Sequence, residues 1–247
     1  QRLASYYADY WAGVGPMAGG EPLKNAPVEN CANLAFSFLT GAMDEGFYRN
    51  KLTGYTKTAF DSLQAKYAGR LMNHSADSLF RHRIELIPNC GHSIDYSLTT
   101  PWLKTYTRNP YPHTFMWEDY PMDGQRRQGF YNLYVMKRPK AADGLKDASG
   151  EDRDYYEMDI QDNVIRLSVK KVTYQTVERD PVYGIDLKFT KSYHPVIGGK
   201  WKIYLNDQLV DMNRPVTVFI NNRKAFEGKL VPRMEDMITS CMEYFDP

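Results

Sequence analysis

Cysteine is scarce in this chain and scattered: Cys31, Cys90 and Cys241 stand far apart, with no C-x-x-C pair. That spacing excludes a disulfide-built scaffold and argues against a structural zinc. Basic charge is not in excess either, with 31 Lys and Arg against 30 Asp and Glu and a formal charge of +1. A nucleic-acid partner is not expected, because tracking phosphates needs a basic face. Long apolar runs are missing too, and none approaches the length that crosses a bilayer, so no membrane span is expected. Internal repeats and low-complexity segments are also lacking. The sequence opens without Met, and "QRLASYYADYWAGVG" is already in helical periodicity, with Leu3, Tyr6, Tyr7 and Tyr10 on one face and Gly13 and Gly15 closing the pattern, so any leader is expected upstream of residue 1. A domain seldom opens inside an uncapped helix, so the chain is expected to be a piece of a longer protein.

What is present is globular in kind: 247 residues, 43% apolar and 25% charged, enough for one large domain or two modest ones. "WAGVGPMAGG" reads as a short buried strand. "NLAFSFLTGAMDEG" is a near-continuous apolar run that suits a parallel strand covered on both faces. "RNKLTGYTKTAFDSLQAKY" reads as a helix, "HRIELIP" as a strand, and "TTPWLKTYTRN" as a helix with Pro101 in its first turn. This alternation predicts a parallel α/β sheet through about residue 109. "HTFMWEDY" and "GFYNLYVMKR" are further strands, after which composition shifts at "KAADGLKDASGEDRD". That charged, Gly-punctuated run predicts a linker over 139–163, between a domain at 1–138 and a β-rich domain at 164–247. In the latter, period-2 strands predict an antiparallel unit with a hairpin at Asn221-Asn222. Met234, Met237, Ile238, Cys241, Met242 and Phe245 form the apolar face of a closing helix, which must pack on something.

In an open parallel sheet, catalytic groups gather at the carboxyl ends of the strands. Two loops here follow such strands, residues 41–46 and 89–95. The first carries Asp44 and Glu45; the second, inside "IPNCGHSIDY", carries His92. A carboxylate that accepts from one ring nitrogen fixes the tautomer, and the other nitrogen can then take a proton from a nucleophile. Glu45 and Asp95 compete with Asp44 for that role. Asp44 is favoured because it directly follows the Gly-Ala-Met turn off the strand, whereas Asp95 suits a turn or helix cap. Cys90 stands too near His92 in sequence to attack through it and reads as a small buried residue. His74 and His82 lack H-E-x-x-H spacing, so neither a metal nor a cofactor is expected. Arg126-Arg127 and Lys170-Lys171 read as solvated faces, and the aromatics from Trp102 to Tyr131 as packing under a strand. A nucleophile is missing: no serine, Ser5, Ser37, Ser93 and Ser97 included, stands in G-x-S-x-G.

The layout "ADYWAGVGPMAGG", "NLAFSFLTGAMDEGFYRNK", "IPNCGHSIDY" and "PWLKTYTRNPYP" resembles the second half of α/β-hydrolase serine esterases and peptidases. The dienelactone-hydrolase-like and phospholipase/carboxylesterase-like bacterial enzymes are nearest. In one subgroup the resemblance continues past the histidine, to a β-rich tail with a hairpin that here reads "DMNRPVTVFINNRKAFEGKL". The resemblance implies the carboxyl-terminal half of an α/β-hydrolase sheet with flanking helices, followed by a small β-rich accessory domain. It implies Asp44 as the acid, His92 as the base and a nucleophilic serine upstream of residue 1. Its substrates would be small-molecule or peptide esters or amides, its partner the amino-terminal half of the hydrolase domain, in the same gene or a companion chain. An extracytoplasmic location, periplasmic or secreted, comes with that resemblance. The rival expectation is a non-catalytic binding protein with a degenerate hydrolase fold.

Overall fold

The computed structural model describes residues 1–72, 77–144 and 152–244, with residues 243 and 244 by backbone alone. Contacts divide the chain into two compact units: Gln1–Asn109 with Tyr174–Lys191, and Pro110–Thr173 with Ser192–Pro247. Among the described residues, no helix is long and apolar enough to cross a membrane.

The first unit runs α1 (Arg2–Tyr6), β1 (Gly13–Val14), β2 (Ala35–Gly41), α2 (Arg49–Lys66), β3 (His82–Ile87) and α3 (Thr99–Leu103). Its three strands form one parallel sheet in the order β1–β2–β3. The central strand β2 is buried along its whole length, as its apolar run demands of a strand covered on both faces. One cover is α2: Phe60 meets Phe36 at 4.7 Å, and Thr53 shares a 2.8 Å hydrogen bond with Thr40. The other is α3, on the face of Ala35 and Ser37. A Cβ on Gly13 would fall 2.9 Å from Leu103, and one on Gly15 2.7 Å from Thr99. The two glycines that close the opening periodicity are therefore where α3 comes down on β1. Phe60 also packs against Phe80 and His82, which completes an aromatic layer under α2.

The second unit carries β4 (Thr114–Asp119), β5 (Gly129–Phe130), β6 (Leu133–Lys137), β7 (Lys140–Ala141) and β8 (Arg153–Gln161). There follow β9 (Val164–Arg179), β10 (Asp186–His194), β11 (Val196–Ile197), β12 (Lys200–Ile203), β13 (Val216–Ile220), β14 (Arg223–Gly228) and α4 (Met234–Tyr244). The main sheet has the order β14–β13–β9–β8–β4, with β10 also on β9. The hairpin end of β9 and β10, Tyr174–Lys191, belongs to the first unit. The expected antiparallel character is incomplete, because β13 runs parallel to β9, a pairing reached only after the long excursion through β10–β12. The turn between β13 and β14 is the expected one, with Asn221 and Asn222 at φ 47° and 63°.

The segment expected as a linker, 139–163, contains β8, a nine-residue strand between β4 and β9. Its charges looked like solvated linker chemistry because their partners lie far away in sequence. Asp154 is fully buried and pairs with Lys171 at 2.6 Å and Arg126 at 3.2 Å; Arg153 donates to Glu118 at 2.7 Å. Arg126 and Lys171, expected on solvated faces, are thus interior ion partners. Part of the linker segment, 145–151, lies outside the described residues, as does Phe245. Trp117, Phe130 and Tyr156 stack in the interior at 5.1–5.5 Å, in keeping with aromatics that pack under a strand. On α4, Met234, Met237, Ile238 and Met242 are exposed, so among the described residues its apolar face is not packed as its pattern calls for.

Candidate active site

The two loops singled out by the strand ends meet in the first unit. β2 and β3 pair in register up to Gly41 and Ile87, so both chains leave the sheet side by side. The loops are then tied by backbone: Ala42 N donates to Ile87 O at 2.9 Å, and Met43 N donates to Cys90 O at 2.9 Å. Gly41 sits beneath that crossing. A Cβ there would lie 1.9 Å from Gly91 O and 2.3 Å from Cys90 O, so only glycine fits. Asn89, at φ 58°, makes the turn that sends Cys90 and Gly91 across.

Asp44 is held in a tight turn, its N–H donating to Gly41 O at 3.0 Å and its carbonyl accepting from Asn50 N at 3.1 Å. Asn50 Nδ2 donates to Ala42 O at 2.9 Å, which fastens the loop to the first turn of α2. The carboxylate is almost wholly buried, with Oδ2 2.9 Å from His92 Nδ1 and Oδ1 2.9 Å from Arg49 Nη1. Burial opposes its ionisation, but the hydrogen bonds from His92 and Arg49 outweigh burial and hold the carboxyl below the usual range. His92 is 65% exposed in its side chain, and among the described residues Nε2 has no hydrogen-bond partner. With Nδ1 facing the carboxylate, Nε2 is left to meet a reactant. Tyr96 lies near: burial and the charge of Asp44 push its phenol up.

The other candidates stand elsewhere. Asp95 is engaged by Ser97, which donates to it from backbone N at 2.8 Å and Oγ at 2.9 Å, the turn-capping role expected of it. Glu45 is exposed, and Cys90 contributes its carbonyl to the loop crossing. Ser5 is buried and donates to Pro27 O at 2.6 Å, and Ser37 lies inside β2. His82 is bound on both nitrogens, to Phe80 O and Asp61, while His74 lies outside the described residues. Among the described residues, no three His, Cys, Asp or Glu side chains gather as a metal site.

Arg49 was not singled out in the sequence, although its place was available there. It opens α2 five residues after Asp44, and an Arg so near an acid loop can turn back onto it. The turn is made by Phe47 and Tyr48, both left-handed at φ 51° and 58°. Such a conformation costs a non-glycine residue roughly 1–2 kcal/mol, so neighbours must hold it. Beside this segment lies a cleft of about 770 Å³, lined by Glu45, Tyr48, Lys51, Tyr55, Leu86 and Tyr183 among others. The chain matches no protein-family model, no curated protein and no solved structure.

Proposed function

We propose that this chain is the carboxyl-terminal part of an α/β-hydrolase that transfers an acyl group from an ester or peptide bond to water. The observation that carries the reading is the 2.9 Å contact of Asp44 Oδ2 with His92 Nδ1 at adjacent parallel strand ends, with Nε2 open. A serine contributed from upstream of residue 1 attacks the carbonyl, and His92 Nε2 takes its proton. Asp44 keeps the imidazole in the tautomer with Nδ1–H and stabilises the imidazolium that forms. His92 then returns the proton to the leaving group, which departs and leaves the acyl group on the serine. His92 Nε2 next takes a proton from the water that attacks this acyl-serine and hands it to the serine oxygen as the acid is released. Backbone N–H groups stabilise the oxyanion, one of them just after that serine. The free outer edge of β1, among the described strands, suits a further parallel strand carrying that serine.

The test starts with the codons that precede residue 1 in the parent gene or in a companion chain. A G-x-S-x-G there supports the enzyme; Gly or Asp in place of Ser sinks it and leaves the non-catalytic binding protein. The complete protein is then assayed on a generic acyl ester. Asp44→Asn and His92→Ala should each lower kcat by at least about 10³-fold, while Asp95→Asn leaves it near the parent value. Loss of turnover in Asp95→Asn alone would contradict the assignment of the acid.

A further inference from the structure

His92 uses one oxygen of the Asp44 carboxylate; the other is taken by Arg49. The guanidinium does not find that place unaided. It passes over Gly46, where a Cβ would fall 2.8 Å from Nη1, and it lies 5.2 Å from the centroid of the Phe47 ring. Phe47 in turn packs on Tyr183 at 4.8 Å. The backbone N–H of Tyr183 donates to the Asp180 carboxylate, whose other oxygen accepts the Tyr48 hydroxyl at 2.7 Å. The two left-handed residues that aim Arg49 are thus both gripped, by ring and by hydroxyl, at one hairpin tip. A second tie stands one turn further along α2, where Lys51 and Tyr55 both donate to Glu178.

We propose that Arg49 is a positioning residue of the Asp44–His92 pair, and that the hairpin tip at Asp180 and Tyr183 holds it on Asp44 through Tyr48 and Phe47. This rests on reading Asp44 as the acid partner of His92, but concerns only how the carboxylate is held. With Oδ1 fixed by the guanidinium, Oδ2 alone faces Nδ1, so the carboxylate cannot rotate away from the ring. Among the described residues near the pair, Asp95 is bound by Ser97, Lys51 is paired with Glu178 and Glu45 is exposed, while Tyr96, in the loop after β3, lies near Asp44, with burial and the Asp44 charge pushing its phenol up.

The test follows the Asp44 carboxyl by ¹³C NMR against pH in the full chain. Arg49→Gln should move its titration upward by roughly half a pH unit or more. Tyr183→Ala, and the milder Tyr48→Phe, should move it the same way. In an Arg49→Gln background Tyr183→Ala should add nothing, because both act through one contact. Asp61, tied to Lys57 and His82, is the internal control and should not move. An unchanged Asp44 titration in Arg49→Gln overturns the proposal. Parent-like titration in both tyrosine variants, or an additive double variant, overturns the part given to the hairpin. The readout needs no nucleophile. Should the complete protein prove inert while these couplings hold, the hydrolase reading fails and the positioning stands.

Discussion

Asp44 is a buried carboxylate with a cation-forming partner on each oxygen, and its behaviour with pH follows from that. Its folded carboxyl titrates below the usual range, so the stabilisation it brings is complete above that range and is lost as pH falls through the lowered value. Asp44→Asn should therefore lower the urea midpoint at neutral pH, and the gap from the parent should close in acid, where both side chains are neutral. Urea titrations at pH 7, 4 and 3 check this, and a gap that widens in acid would refute it. The residue scale is also where the sequence was most legible. The places of Asp44 and His92 after two strands are legible there, and because parallel order sets those strand ends side by side, the two side chains meet at 2.9 Å. The place of Arg49 is not legible, because its contact depends on two left-handed residues, Phe47 and Tyr48, that no propensity favours.

At the scale of elements, the sheet and its loops are joined by contacts that admit little substitution. Gly41→Ala sets a methyl against the backbone of Cys90 and Gly91, which has no side chain to swing aside. The variant should lose on the order of 3 kcal/mol of stability, and the His92 resonance should shift with it. The buried Thr40–Thr53 hydrogen bond between β2 and α2 gives a contrasting case. Thr53→Val strands one hydroxyl and should cost about 1–2 kcal/mol; adding Thr40→Val should recover most of that, since both polar groups then go together. Denaturant midpoints of the single and the double variant, set against the parent, decide it. In the first unit β2, α2 and β3 are readable from periodicity, whereas α3 ends at Leu103, short of the helix that "TTPWLKTYTRN" suggests. β8 is not readable, since Arg153 and Asp154 resemble linker residues until Glu118 and Lys171, on other strands, are set beside them.

For the whole molecule, the boundaries that composition suggests are not those the contacts draw. A fragment 164–247 lacks β8 and β4, two of the strands in the main sheet, and should not fold by itself. A fragment 1–109 keeps the parallel sheet but loses the hairpin tip that meets Tyr48, Lys51 and Tyr55. It should show weakened hydrogen-exchange protection at the start of α2, while β2 stays protected; equal protection in fragment and full chain would contradict this.

The split make-up of the first unit also has a consequence for the order of events during synthesis. Residues 1–109 leave the ribosome well before Tyr174–Lys191, and the whole stretch Pro110–Thr173 must be translated in between. The parallel sheet can gather early, from neighbours in the chain. The segment that aims Arg49 at Asp44 waits for a contact of very high sequence separation, the kind that forms late and slowly. A nascent chain stopped in that interval would hold its strands in place with the acid loop not yet set.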